Sequence, residues 1–138
     1  MMFTKDFDLF VCTGDTISTE QDGFTITATV VHDDAYTLDD DDTHNRDQSV
    51  TGCSDDTYSR LMKNRIAWLE DEWFYCGIVL SVSRAGVVLN SHAASLWGIE
   101  ANYPDSDNTY LRSVANEMLS DAVEEGHAVM LKLTAQYP

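Results

Sequence analysis

Hydrophobic and polar residues alternate most regularly over residues 24–32, FTITATVVH. The apolar residues at alternate positions are Phe24, Ile26, Ala28 and Val30. This period of two predicts a strand that buries one face. Residues 7–13, FDLFVCT, are rich in aromatic and β-branched side chains and predict another strand. Asp22-Gly23 is a turn signal, and residues 14–23 are predicted to connect these strands through a loop too long for a tight hairpin.

Two later segments have apolar residues at helical spacing. The first runs from about residue 55 to 69, after Ser54 as a suitable N-cap. The second is predicted to start after Pro104, with Asp105 or Ser106 as its cap, and to end at Gly126. Its apolar stripe consists of Leu111, Val114, Ala115, Met118, Leu119, Ala122 and Val123. The apolar tail over residues 127–136 fits either a continued helix or an edge strand.

Between these helices the pattern predicts an antiparallel meander of strands at 73–83, 87–91 and 95–100, with a turn at Ala85-Gly86. The first of them carries apolar residues on both faces, which is typical of a central strand. The whole pattern therefore predicts an α+β fold, a mainly antiparallel sheet of about five strands packed with two or three helices. A chain of 138 residues is the size of a single domain, residues 1–138.

Acidic residues dominate the charge of this chain. Eight Lys and Arg against 24 Asp and Glu give a net charge of -16. Residues 33–56 hold nine Asp and one base, Arg46. Because Asp favours turns and caps over helix interiors, this segment is predicted to be an exposed Asp-rich loop within the domain. Glu70-Asp71-Glu72 is predicted to lie in the turn after the first helix, because acids oppose the dipole at a helix C-terminus.

This composition argues against several classes of partner and compartment. The few bases are scattered, so direct binding of nucleic acid is not expected. The longest apolar-rich stretch, residues 73–82, is half the length of a membrane-spanning helix, and the N-terminus lacks a secretion signal. Cys12, Cys53 and Cys76 are odd in number and widely spaced, which favours a reducing compartment. We expect a cytoplasmic protein that does not contact membrane.

Catalytic and metal-binding motifs are weak in this sequence. A Cys–His enzyme could pair Cys53 or Cys76 with His92 or His127, but buried Cys and surface His are the commoner arrangement. The alternate acids at Asp39 resemble the start of a calcium loop, yet the glycine and glutamate that such a loop requires are missing. The sequence predicts no catalytic residue, no metal and no cofactor.

The acidic segment has two simple explanations and one functional one. It could be a solvated face, or an adaptation to high salt. Alternatively, exposed carboxylates could imitate the phosphates of DNA, which carry roughly one charge per 1.7 Å of duplex axis, and bind a basic nucleic-acid groove. The predicted partner-binding residues are Asp33, Asp34, Asp39, Asp40, Asp41, Asp42, Asp47, Asp55, Asp56, Glu70, Asp71 and Glu72.

The runs GIVLSVSR, HAASLWGIE and YPDSDNTYL give residues 71–120 a resemblance to a group of small acidic proteins carried by phages, plasmids and their bacterial hosts. Small acidic proteins of such mobile elements are often inhibitors of host defence, such as inhibitors of restriction enzymes or CRISPR complexes. The resemblance therefore implies a function of this kind. It carries over no catalytic residue. Within this segment His92 and Trp97 could form a contact site, although a polar residue closing a strand and a core Trp are the more common roles.

These observations lead to three functional hypotheses. The first is a non-enzymatic inhibitor that binds a basic surface of a host nucleic-acid-handling complex in the host cytoplasm by imitating nucleic acid. The second is an accessory module that binds a basic host protein without blocking DNA. The third is a small enzyme.

Overall fold

The computed structural model describes residues 2–38 and 55–136. The described part is an α+β fold with a four-stranded antiparallel sheet in the order β1-β2-β3-β4. The strands are β1 (Thr16–Gln21), β2 (Phe24–His32), β3 (Phe74–Arg84) and β4 (Val87–Ala101). The helices are α1 (Asp55–Leu69), α2 (Thr109–Glu117) and α3 (Leu119–Gln136). The predicted fold class is confirmed, with four described strands where five were expected.

Two tight hairpins define the sheet. Asp22 and Gly23 join β1 to β2 with φ angles of 56° and 82°, and Ala85 and Gly86 join β3 to β4 with 51° and 81°. Positive φ at both central residues gives the backbone twist that suits a two-residue hairpin. The predicted turn at Ala85-Gly86 is confirmed, whereas the long loop predicted over residues 14–23 is wrong because β1 occupies most of it.

The strand predicted at residues 7–13 is also wrong. This segment is irregular, and its buried residues Phe7 and Val11, together with Phe3 before it, fill the core from outside the sheet. Their spacing of four lacks the period of a strand, so the apolar composition reflected burial and not strand formation. Asn102 and Asn108 hold this segment through side-chain amides that donate to the carbonyls of Val11 and Leu9 at 2.9 Å and 2.8 Å.

The strands predicted at 87–91 and 95–100 form one continuous strand, β4. Shifts of register between Cys76 and Ile78 and between Leu80 and Val82 insert extra residues into β4 without ending it. At the first shift Gly77 lies opposite both Trp97 and Gly98, which is the pattern of a β-bulge. The sequence contained polar and small residues at 91–95 that look like a break, but bulges keep the pairing.

The main core lies between one face of the sheet and helices α2 and α3. The alternate residues predicted to face inward from β2, Phe24, Ile26, Ala28 and Val30, are each 0% exposed. They meet a stripe of buried helix residues, namely Leu111, Ala115, Met118, Leu119, Ala122 and Val123. Both the strand alternation and the helical stripe are therefore confirmed.

The helix boundaries in this half differ from the prediction. Asn108, in the left-handed region at φ 65°, is the N-cap of α2 in place of Asp105 or Ser106. Helix α2 ends before Met118, and α3 then runs from Leu119 through Gly126 to Gln136. The apolar tail is therefore helical. Gly126 serves packing: a Cβ atom there would lie 3.0 Å from Cγ2 of Val82 and 3.1 Å from Cε1 of Phe24. No helix in the described ranges combines the length and hydropathy needed to cross a membrane.

Helix α1 packs on the opposite face, at the end of the sheet where β3 begins. Its bounds agree with the predicted 55–69, while the predicted cap Ser54 lies outside the described residues. A second cluster of buried residues forms here, namely Leu38, Ala67, Trp73 and Tyr75. The indole N–H of Trp73 donates to the carbonyl of Asn64 at 2.8 Å. Strand β3 lies between β2 and β4 and is covered on both faces at this end, as predicted for a central strand.

We predict that Gly126→Leu lowers the free energy of unfolding by about 1–3 kcal/mol, because the new side chain is forced against Val82 and Phe24. Leu forms helix better than Gly, so propensity alone would change stability in the opposite direction. Urea denaturation measures the difference. Glu124→Leu, at an exposed position two residues earlier in the same helix, is the control and should change stability by less than about 0.5 kcal/mol. Equal effects of the two substitutions would contradict the packing argument.

Candidate binding site at one end of the sheet

The structure separates the predicted partner-binding acids into distinct places. Asp39 to Asp42 and Asp47 lie outside the described residues. Asp55 and Asp56 form the first turn of α1, and Glu70 to Glu72 follow its last residue. A 15-residue helix separates these two groups by about 20 Å. Asp33 and Asp34 follow β2, at the same end of the sheet as Asp71.

Asp33, Asp34 and Asp71 line one cleft of about 310 Å³ whose walls are mostly aromatic. The rings around it are His32, Tyr36, Trp68, Trp73, Phe74 and Tyr75. Tyr75 meets Tyr36 edge to face at 4.7 Å between ring centroids and meets Trp73 at 5.2 Å. Trp73 and Tyr75 are buried and form the aromatic base of the cleft. We name this region the acidic cleft.

The end of α1 fixes the backbone of one side of the acidic cleft. Asp71 is in the left-handed region at φ 60°. Its N–H donates to the carbonyl of Trp68 at 3.1 Å, and the N–H of Glu72 donates to Ala67 at 2.9 Å. This pair of bonds is the Schellman motif, which satisfies the last carbonyls of a helix. The prediction that Glu70, Asp71 and Glu72 lie in a turn after the helix is confirmed, and all three are exposed.

Asp33 is buried, with 8% of its surface exposed, although it was expected to begin an exposed loop. Its Oδ1 accepts from the N–H groups of Ala35 at 3.0 Å and Tyr36 at 3.2 Å, and its Oδ2 accepts from the N–H of Gly98 at 2.9 Å. This carboxylate therefore joins the turn after β2 to the bulge of β4. Its predicted contact with a partner stays a prediction.

Asp34, unlike Asp33, directs its side chain to the solvent. Its side chain is 94% exposed, and its Oδ1 lies 2.7 Å from Nδ1 of His32. The His32 ring stacks on Phe74 with 5.5 Å between centroids and 7° between planes. An exposed surface contact of this kind contributes little to stability, so the Asp34 carboxylate remains able to interact with a partner.

A wider cavity of about 640 Å³ adjoins the acidic cleft and shares Asp33, Asp34 and Tyr36 with it. Trp97 and Gly98 complete its lining on the β4 side. The expectation that Trp97 is a core residue is wrong, because its side chain is among the exposed large hydrophobic ones, at 43%. His92, which was considered with it as a contact site, is also exposed and lies within β4.

Sequence reasoning did not identify Tyr36, Gly77 or Gly98 as parts of a site. The available signal was a glycine inside each of two strand patterns, CGIV and LWGIE. Isolated glycines in strands often mark a bulge or a close approach of another group. Both glycines have that role here, but the rings that approach them could be identified only from the tertiary structure.

The cysteine and histidine residues considered for catalysis are not assembled into a reactive pair within the described chain. Cys76 is fully buried in the main core, and burial together with the charge of Asp33 raises the pKa of its thiol to about 12. His127 contacts Phe24 and lies 3.4 Å from Asp22 at the β1–β2 turn, whereas Nε2 of His92 lies 2.8 Å from Oγ of Ser95. Cys53 lies outside the described residues. Across residues 2–38 and 55–136, no three His, Cys, Asp or Glu side chains are grouped as metal ligands.

Comparison with protein-family models, curated proteins and solved structures finds no match to this chain. The geometry and charge of the acidic cleft and its neighbouring cavity are therefore the basis for a functional proposal.

We predict that Asp33→Asn lowers the free energy of unfolding by about 1–3 kcal/mol. An asparagine amide has one oxygen, so it cannot accept from Gly98 and from the Ala35–Tyr36 backbone at once, and its NH₂ group would face a donor. Asp34→Asn removes the same charge at the neighbouring exposed position and should change stability by less than about 0.5 kcal/mol. Urea denaturation compares the two, and a similar result for both variants would mean that the buried bonds contribute no more than surface charge.

We predict that Cys76 is unreactive in the native protein. A pKa of about 12 in place of 9.0 lowers its thiolate fraction at pH 8 by about a thousandfold, and burial also blocks access. In a Cys53→Ser variant, an aromatic disulfide reagent should label Cys12 rapidly, because Cys12 is exposed, and Cys76 only after denaturation. Adding Cys12→Ser should remove the rapid phase. Rapid labelling of Cys76 in the native state would revive a nucleophilic role for it.

Proposed function

We propose that this chain is a non-enzymatic binding protein that inhibits a nucleic-acid-handling complex by occupying its basic nucleic-acid groove. The observation that carries the proposal is the convergence of Asp34 and Asp71 on one aromatic cleft at fixed backbone positions. Carboxylates on a rigid frame can match the spacing of basic groups on a partner, whereas carboxylates on a flexible chain lose entropy when they bind.

The charge of the chain supports this class of partner. A net charge of -16 on 138 residues repels nucleic acid and favours fast, oriented association with a basic protein. The partly exposed rings of Tyr36, Trp68 and Phe74 at the acidic cleft supply the type of residue that contributes most to binding at protein interfaces. If the expected resemblance of residues 71–120 to proteins of phages and plasmids holds, the target would be a host defence complex of restriction or CRISPR type.

We expect Asp34→Lys combined with Asp71→Asn to lower affinity for the target by about tenfold or more, since losing a close charge pair at an interface costs about 1.5 kcal/mol or more. Asn suits the positive φ of residue 71 as well as Asp does, so the turn should keep its geometry. The control, Glu117→Lys combined with Glu124→Gln, changes net charge equally at exposed positions on α2 and α3. The target is captured on the immobilised chain from a nuclease-treated lysate of the host bacterium at low and high salt.

Duplex DNA is then added to the captured complex. Displacement of the complex by DNA, together with selective loss of capture in the cleft variant, is the expected outcome. Capture that survives any amount of DNA would favour the accessory module, which binds a basic host protein without blocking its groove. Equal capture by the cleft variant and the control would refute binding through the acidic cleft.

A further inference from the structure

Two aromatic rings in the wider cavity rest on glycines of the same bulge. A Cβ atom added to Gly77 would lie 2.3 Å from Cε3 of Trp97, which is closer than any side chain permits. A Cβ atom on Gly98 would lie 3.6 Å from Cδ2 of Tyr36. The indole of Trp97 therefore lies flat against the backbone of β3, and the ring of Tyr36 lies over β4. The close approach of both rings therefore depends on glycine backbone in the sheet.

Hydrogen bonds orient the indole ring of Trp97. Its indole N–H donates to Oγ of Ser95 at 3.0 Å, and that hydroxyl lies 2.8 Å from Nε2 of His92. One part of the ring lies against Gly77 and the indole N–H is bonded to Ser95, while 43% of Trp97 remains exposed. The His92 ring is nearly parallel to it, at 26° and 6.5 Å between centroids.

Charge determines what kind of group this aromatic surface can attract. The Asp34 carboxylate at the rim is 94% exposed, and the buried Asp33 carboxylate beneath it adds a second negative charge. An anionic ligand would be repelled. An aromatic face beside a carboxylate instead suits a planar cation, because a guanidinium group can stack on the ring and donate two hydrogen bonds to the carboxylate. The ammonium group of Lys is a compact, strongly hydrated charge and fits such a site less well.

We propose that this cavity receives an arginine side chain from the partner, with the guanidinium group stacked on Trp97 and bonded to Asp34. The proposal rests on the proposed function, and it names the residue type that anchors the basic surface in this end of the sheet. The cavity volume of about 640 Å³ is within the roughly 300–1,000 Å³ typical of ligand sites, so it can admit the side chain with its adjoining backbone.

Two labelled peptides, eight arginines and eight lysines, test the proposal by fluorescence anisotropy at low salt. The quantity measured is the ratio of the two affinities, because charge attraction is common to both peptides. Trp97→Leu keeps an apolar cover on Gly77 but removes the aromatic face, and it should lower the preference for arginine by about fivefold. Trp97→Phe keeps a weaker aromatic face and should lower it less. Asp34→Asn should weaken both peptides, whereas Glu124→Gln should weaken neither by a measurable amount.

Each outcome separates the arginine site from the broader proposal. An unchanged arginine preference in every Trp97 variant that folds would overturn the arginine site. In that case the proposed function survives if the cleft variant with Asp34→Lys and Asp71→Asn still loses affinity for both peptides relative to its control. If the cleft variant and its control bind both peptides equally, the proposed function itself fails. Because Trp97→Phe retains a ring over Gly77, it provides the test even if Trp97→Leu does not fold.

Discussion

The buried carboxylate of Asp33 is the interaction on which the candidate site depends. Its two oxygens accept from three backbone N–H groups, those of Ala35, Tyr36 and Gly98, while its own N–H bonds to Tyr75 in β3. One side chain thus connects the end of β2, the turn that carries Tyr36 and the bulge of β4. Buried charge is tolerated where several donors compensate it, and here the compensation also holds the rings of the cavity and the exposed Asp34 in place.

Close approach at glycine is the second principle shared by the core and the site. Gly126 lets α3 contact Val82 and Phe24, and Gly77 lets Trp97 lie on the sheet. In each case the missing Cβ atom allows a contact that another residue would prevent. The first contact stabilises the helix against the main core. The second places an aromatic ring at the surface, where Trp97 is 43% exposed and forms part of the proposed arginine site.

The distribution of charge fits a protein that gains from a basic partner. Like charges destabilise a compact chain, and this one carries a net charge of -16. Asp34 lies in a hydrogen-bonded backbone turn, and Asp71 lies at a hydrogen-bonded helix terminus. Attraction over a distance and an aromatic anchor at contact are complementary, because charge accelerates encounter and the anchor provides the specific contact.

Local periodicity in the sequence was enough to determine the alternation of β2, the bounds of α1, the apolar stripe of α2 and α3, and the turn at Ala85-Gly86, since each depends on neighbouring residues. Only the tertiary structure decided that Phe3, Phe7 and Val11 pack as an irregular segment, that Gly126 continues a helix and that Asp33 is buried. Those outcomes depend on contacts between distant parts of the chain, such as Asp33 with Gly98 across 65 residues. Sequence composition identified an excess of acidic residues. Only the pairing of β3 with β4 brought Trp97 beside Gly77, and with it an aromatic wall to the cavity that Asp33 and Asp34 line.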